Sequence, residues 1–366
     1  MNKELTQKIA LHELERLFQQ NPFVLFGTGT SCAVDARFGM GALRDHLLEE
    51  VGRRQLNTVQ KTQWEAVASL INSGNDLESA MEEVRDHELR DIIIESTVNL
   101  VAGLDKEYGF RILSGECEWP ALSFFEKLVN GLSINDKVLH VATTNYDLLA
   151  EYAFEKAKIP YITGFSGGIC RRRNWEQAIR YVTYCDYAYS GRKRYLVKKV
   201  EKHIRLYKVH GSLNLFSVNS NIMEINTLMY DNYIKWKRIM ITPGTAKYER
   251  LHEYRSELLG EYDQAINKHK FFLFIGFGFN DNQLINESVN RKLKEIGCSG
   301  LIITRDSNPK IEKYVRECKN LWIVCGSKAG NVNDTRIYNS RYSNEIIFKE
   351  TQMWDPIVFT KLILGG

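Results

Sequence analysis

Four short stretches of the sequence carry residue types that could bind a polar ligand or move a proton. The first is GTGTS, Gly27–Ser31, which ends an apolar run abruptly. Glycine permits close backbone approach and leaves amide N–H groups to face an anion at a helix N-terminus. Gly27, Thr28, Gly29, Thr30 and Ser31 are therefore candidate phosphate contacts, although a tight strand-to-helix turn without a ligand reads the same way. Cys32 stands where the dinucleotide fingerprint has its third glycine, and no GK[ST] follows to make a P-loop. The second stretch is TTNYD, Thr143–Asp147. Asn145 offers both donors and acceptors, suited to ribose hydroxyls or a positioned water, while Asp147 either reaches the same site or caps the following helix. The third is His210, followed by Gly211 and Ser212, a general base near neutral pH if it is not simply structural. The fourth is GFGFND, Gly276–Asp281. Two glycine turns at one sheet edge could hold the two ends of a dinucleotide through Gly276 and Gly278, with Asn280 or Asp281 capping a helix as the alternative. Thr304, Arg305 and Asp306 are lesser candidates for the adenosine side.

Such residues need elements that bring them to one edge. Phe23–Phe26 is a short all-apolar run, the pattern of a strand buried on both faces. Similar runs occupy 137–142, 203–209, 238–242, 271–275, 301–304 and 321–325, with helical segments expected near 249–268, 282–295 and 309–318. This alternation predicts an α/β fold with a doubly wound, mostly parallel Rossmann-like sheet. Residues 60–131 read as almost wholly helical, so a helical module, about 55–132, is inserted after the first strand–turn–helix unit. A helix within residues 1–20 carries an apolar face that could dock on its own core or on a partner chain. The expected organisation is that N-terminal assembly helix, one nucleotide-binding domain over 21–330, and a tail over 331–366.

The chain has 366 residues, 44% of them hydrophobic, with 49 Lys+Arg against 45 Asp+Glu. It is too apolar to be disordered and has no window of about 18 apolar residues, so a soluble cytoplasmic protein with no membrane span is expected. Seven cysteines are scattered without a CxxC, which argues against a zinc ribbon or a disulfide framework. The net charge of +4 hides a basic stretch. Residues 171–208 hold twelve Lys/Arg and three acids, +9, which leaves −5 for the rest. Within it, alternating tyrosines on either side of a Ser-Gly pair predict a hairpin. A solvated hairpin at an oligomer edge is favoured over a nucleic-acid module there, because charge discourages strand pairing and no nucleic-acid motif accompanies it.

In this order and at these strand ends, the four stretches resemble the sirtuin family, in particular the bacterial sirtuin-like domains of anti-phage defence proteins. Gly27–Ser31 is similar to the family's GAGxS, Thr144–Asp147 to its QNxD or TNYD form, and His210–Ser212 to the HGS of the catalytic histidine. Gly276–Asp281 resembles the later glycine-rich nucleotide turn. Sirtuin deacylases continue to a PDFR-like segment, where this chain has Arg37, Phe38, Gly39 and Met40, and they carry a four-cysteine zinc module. Residues 213–297 here contain no cysteine.

The resemblance thus implies an NAD+ hydrolase with no metal, for which NAD+ is the substrate. It implies Asn145 on the ribose hydroxyls and attacking water, His210 as base with Asp147 beside them, and Thr144 in the binding loop. The Gly27–Ser31 amides would hold pyrophosphate, and Asp35 would shape the nicotinamide pocket. It also implies a homo-oligomer and a HerA-type ATPase as partner. A non-catalytic NAD or ADP-ribose sensor, and a residual deacylase or ADP-ribosyltransferase, are the alternatives.

Overall fold

The protein is described here from a computed structural model, which covers residues 3–231, 235–242, 258–281, 284–285, 289–295, 297–328 and 331–365. Among them, nine strands form a central sheet: Phe23–Phe26 (β1), Val138–Thr143 (β2), Tyr161–Ile162 (β3), His203–Lys208 (β4), Phe271–Ile275 (β5), Ser299–Thr304 (β6), Leu321–Gly326 (β7), Thr335–Asn339 (β8) and Ile346–Phe348 (β9). Their spatial order is β9-β8-β7-β6-β5-β1-β2-β4-β3. All neighbours from β7 to β3 run parallel, while β8 and β9 are antiparallel. The sheet is the expected mostly parallel, Rossmann-like one.

Side chains alternate across this sheet. Val24, Phe26, Val141 and Ile275 enter one buried cluster, and Phe23, Leu25, Ala142 and Phe274 enter the other. Strands buried on both faces have no polar positions to give, which is why they read as unbroken apolar runs. His140 is one exception, as are His203 and Lys208 in β4. His140 stands beside the Tyr207 hydroxyl at 2.7 Å, and burial, with His269 nearby, pushes it down to about 3.

Register sets the functional edge. Phe26 pairs with Ile275 on one side and Thr143 on the other; Thr143 pairs with Lys208, and Ile275 with Ile303. The residues that follow these strands therefore emerge level with one another. The order also reverses between β1 and β5, and the crevice at such a switch point, beyond the strands' C-terminal ends, is where open α/β sheets take ligands.

The helical module contains Thr58–Asn72, a 28-residue helix His87–Ser114 capped by Asp86, and Leu122–Gly131. Midway along the long helix, the fully buried Asp105 accepts hydrogen bonds from the Leu148 N–H (2.6 Å) and the hydroxyls of Tyr152 (3.0 Å) and Tyr230 (2.7 Å). The module is thereby fastened to the loop that carries Asn145.

Three expectations change. The 238–242 run forms Lys237–Met240, not in the parallel sheet but at the edge of a second, antiparallel one with Gly211–Val218, Asn221–Glu224, Arg171–Arg173 and Phe165–Gly167. The basic stretch is divided: its hairpin is Thr183–Ser190 with Lys193–Val200 about a Gly191-Arg192 turn, Arg171–Arg173 lies in the second sheet, and His203–Lys208 is β4. The tail is no appendage. It adds β8 and β9 to the sheet, and its helix Pro356–Ile363 meets the N-terminal helix Gln7–Leu17 where Phe359 and Phe18 pack at 5.9 Å. Of the two destinations open to the N-terminal apolar face, its own core takes Leu14 and Leu17. The expected helix near 249–268 is helical over its described part, 258–268, and residues 249–257 lie outside the described residues, as do 282–283 and 286–288 of the next.

Candidate active site

The two glycine turns touch each other. Gly27 donates to the Ile275 carbonyl and Gly29 to the Gly276 carbonyl, each at 3.0 Å, which extends the sheet ladder past the strands. A Cβ on Gly29 would stand 2.6 Å from the Gly276 Cα, and one on Gly276 would stand 2.8 Å from the Thr30 nitrogen. Gly276 also has φ +55, a left-handed conformation that side chains resist. These glycines thus let backbone approach backbone. Four of the five turn amides already donate: Thr30 to the Gly27 carbonyl and Ser31 to the Thr28 carbonyl complete the set. The helix that follows, Gly29–Cys32, is a single turn.

Two clefts flank this seam. The smaller, about 130 Å³, is lined by Thr28, Thr144, His210, Asn280 and Asp281, by Gly27 and Gly278, and by apolar Met40, Ile241 and Phe277. The larger, about 440 Å³, runs from Gly29, Thr30 and Gly276 to Thr304, Arg305 and Asp306, and the tail closes it with Trp354. Thr28, Met40 and Gly278 belong to both, so the two are contiguous.

His210 is buried and pairs through Nε2 with the Asp281 Oδ2 at 2.5 Å. Asp281 also accepts from the Leu284 N–H at 3.1 Å through Oδ1, so it both caps and orients. With Nε2–H donated to a carboxylate, the imidazole lone pair is at Nδ1, and the carboxylate stabilises the ring once that nitrogen takes a proton. Gly211 follows at φ +77, and a Cβ there would fall 2.0 Å from the Ile239 carbonyl oxygen. The glycine of the HGS triplet is thus required by the neighbouring strand.

Asn145 and Asp147 stand behind the cleft wall. The Asn145 Nδ2 donates to the Ser31 hydroxyl (2.9 Å) and the Gly27 carbonyl (3.2 Å), and Ser31 donates to the Asp147 Oδ2 (2.9 Å). This chain of bonds ties the TTNYD loop to the first glycine turn. Asp147 Oδ1 also accepts from the Leu149 N–H at 3.3 Å, so the cap role and the network role coexist. Burial pushes the Asp147 carboxyl up, opposed first by Lys208 and then by the Ser31 hydroxyl. Lys208 is itself buried, donating to the Asp147 carbonyl (2.6 Å) and the Glu151 carboxylate (2.8 Å). The Asn145 Oδ1, also buried, has no hydrogen-bond partner among the described residues. A buried acceptor left without a donor is costly, and a ligand hydroxyl or water would relieve it.

Asp35 lies elsewhere. It lines neither cleft, and its carboxylate accepts from the Arg37 guanidinium (2.7 Å) and the Tyr108 hydroxyl (2.5 Å), which hold it well below the usual carboxylate range. Two cleft residues carry no mark in their local sequence, Glu78 from the helical module and Trp354 from the tail, and each reaches the site through tertiary packing; Tyr146, the tyrosine of the TNYD stretch, also lines the smaller cleft.

A family model described as a SIR2-like domain matches residues 139–322, half of the chain. The chain belongs to the SIR2-like family. SIR2-like domains use NAD+, and the match contains Asn145 and both members of the His210–Asp281 pair. The SIR2-like match begins after the first glycine turn and the helical module, so Gly27–Ser31 and Glu78 lie outside it. No curated protein matches the chain. Among the described residues, no helix is long and apolar enough to cross a membrane, and no group of three or more His, Cys, Asp or Glu could hold a metal.

Proposed function

We propose that this SIR2-like chain hydrolyses NAD+ to nicotinamide and ADP-ribose, and that it serves anti-phage defence by depleting the dinucleotide. The observation that carries the reading is the His210–Asp281 pair on the wall of a small cleft that opens into a larger one across a glycine seam. The larger cleft suits the adenosine half. The smaller one suits the nicotinamide ribose. The bond from ribose C1′ to the nicotinamide nitrogen breaks with its electron pair going to the ring, which leaves a cation-like ribose. Water then adds to C1′ and gives its proton to Nδ1 of His210, while Asp281 stabilises the imidazolium.

Asn145 Oδ1, the buried acceptor without a partner, would take a ribose hydroxyl or the attacking water. Asp147 acts through Ser31 and the loop rather than on substrate. With four turn amides already donating, Thr28, which lines both clefts, is left to meet the pyrophosphate. The resemblance further points to a homo-oligomer in the cytoplasm with a HerA-type ATPase as partner; nucleic acid is not favoured.

Incubating the chain with NAD+, alone and with the proteins encoded beside its gene, and separating the products by chromatography tests the reading. Equimolar nicotinamide and ADP-ribose are expected. Acyl-ADP-ribose or ADP-ribosylated protein would replace hydrolysis with transfer, and NAD+ bound but intact in every combination would make the chain a sensor.

A further inference from the structure

The basic hairpin takes no part in either cleft and has no strand neighbour among the described residues: Thr183–Ser190 and Lys193–Val200 pair only with each other. A two-stranded ribbon is marginal in water by itself, and this one leaves Tyr184, Tyr187, Tyr189, Tyr195 and Leu196 exposed. Its register puts Tyr187, Tyr189, Arg194, Leu196 and Lys198 on one face, where the Arg194 guanidinium lies over the Tyr187 ring at 3.3 Å. Tyrosine and arginine beside an exposed leucine make the composition of an interface rather than of a solvated loop.

The hairpin is rooted at the sheet edge opposite the clefts. Lys137, just before β2, donates to the Val200 carbonyl (2.8 Å), and Lys202, just before β4, donates to the Asn130 carbonyl (2.6 Å). The same edge holds a crevice of about 520 Å³. Three helices end at it, Gln7–Leu17, Leu122–Gly131 and Pro356–Ile363, and the last carbonyls of a helix attract cations. Glu15 and Asp136 line it, with Lys127 as the cation among the described lining residues. Asn21 lines it too: its Nδ2 donates to Asp136 (2.8 Å), and its buried Oδ1 has no hydrogen-bond partner among the described residues. The crevice thus offers acceptors and negative charge, while the hairpin tip, Arg192, Lys193 and Arg194, offers donors and positive charge. Two tips facing each other would repel, so the surface complementary to a tip is the crevice.

We propose that the hairpin is an arm for a second copy of this chain: its basic tip enters the crevice of the partner protomer, with Tyr189 and Leu196 against the apolar part of the lining, Leu132 and Ile363. Arm and crevice share one edge, so the exchange is reciprocal about a two-fold axis and leaves the clefts of both copies open. The inference rests on the homo-oligomer of the reading above and gives it a contact.

Sedimentation equilibrium of the full chain tests this. The parent should be a dimer that loosens as salt is raised. Reversing the tip, with Arg192→Glu, Lys193→Glu and Arg194→Glu together, should weaken the dimer by about tenfold or more, and Glu15→Lys should weaken it by less. All four substitutions together should regain part of the loss, which damage to the fold would not do. Replacing residues 184–199 by an Asn-Gly turn closes the ribbon on the Thr183–Val200 pair, whose ends stay joined because the Glu201 N–H donates to the Val182 carbonyl at 3.0 Å. That excision should give a monomer. A dimer that survives it overturns the proposal and leaves the homo-oligomer standing, and so does a combined variant no tighter than the tip reversal alone. A parent that is monomeric at every concentration removes the homo-oligomer and the arm together. A monomer that binds duplex DNA, with binding lost on tip reversal, overturns the proposal in favour of a nucleic-acid surface.

Discussion

The clefts on either side of the glycine seam carry different ionisable groups. Around His210, the imidazole and the carboxylates of Glu78 and Asp281 stand among polar Thr144 and Asn280 and apolar Met40, Ile241 and Phe277. On the other side, Gly29, Gly276, Ile303 and Trp354 line the cleft together with Thr30, Thr304, Arg305 and Asp306, and no histidine is among its described lining residues. Under the proposed reading, one cleft does the chemistry and the other holds a flat, mostly neutral group. The seam keeps them a fixed distance apart because neither Gly29 nor Gly276 leaves room for adjustment. In a dinucleotide enzyme, that division lets binding of the far half position the bond to be broken.

The strongest way to break this comparison is His210→Ala. Removing a general base costs about 10²–10⁴-fold in kcat. If the two clefts are separate in function, NAD+ cleavage falls on that scale while ADP-ribose affinity holds. A parallel loss of ADP-ribose affinity would mean that the holding cleft depends on the histidine, and the division fails. Beneath the chemical cleft, Lys208→Met removes the cation between the Asp147 carbonyl and the buried Glu151 carboxylate. Taking one partner from a buried ion pair costs about 3–5 kcal/mol, so chemical denaturation should show an unfolding free energy lower by about that amount and a correspondingly lower midpoint. An unchanged midpoint would show that the loop behind the His210 cleft does not need this pair.

Gly276→Ala attacks the seam itself. A left-handed alanine and a Cβ at 2.8 Å from the backbone of the facing turn together should destabilise by about 2–3 kcal/mol. Both activities should decline in step, in contrast with His210→Ala. Asp105 probes the link between the chemical cleft and the helical module. Burial, only partly offset by the Leu148 N–H and the two tyrosine hydroxyls, raises its carboxyl to about 7. In the unfolded chain it titrates near its ordinary value of about 4, so between about pH 4 and 7 the folded protein holds a proton the unfolded chain has lost. Stability therefore falls as pH rises through that window, by up to about 1.4 kcal/mol per pH unit from this group. Asp105→Asn should flatten the slope, measured by denaturation at several pH values. A slope unchanged by the substitution would show that Asp105 ionises no less readily in the fold.

The parts of this arrangement that were legible in the sequence share a physical reason. Phe23–Phe26, Val138–Thr143 and Phe271–Ile275 are buried on both faces, so apolarity alone marks them, and the glycines that follow are visible because no other residue would fit. His210 was legible by its place after such a strand. The partnership of His210 with Asp281 was not: the two are 71 positions apart, and Asp281 looked equally suited to a cap, a role it also fills. Gly211–Val218 was missed as a strand because it buries Ser212 and Asn214, whose polar groups are satisfied by the Tyr146 carbonyl and the Asn226 side chain. Polarity in sequence suggests a loop; only tertiary hydrogen bonds make it core. Glu78 lies in a stretch so rich in acids that no single one stands out.

Asp35 supplies the smallest expected effect and the sharpest contrast between position in sequence and position in space. It follows the first glycine turn by four residues, and on that ground belongs to the chemical cleft. In the fold its carboxylate caps the single turn Ala36–Phe38 and is held by Arg37 and Tyr108, outside both clefts. The arrangement fastens the start of the segment leading to Met40, which lines both clefts, so Asp35 influences them only through backbone placement. Exposed ion pairs of this kind contribute little, so Asp35→Asn should change kcat and KM for NAD+ by no more than about twofold. The same substitution at Asp281 removes the carboxylate that orients His210 and should resemble His210→Ala in kcat. A tenfold or larger loss of kcat at Asp35, with KM unchanged, would place its carboxylate on the reacting ribose after all and enlarge the chemical cleft to include the first turn's exit.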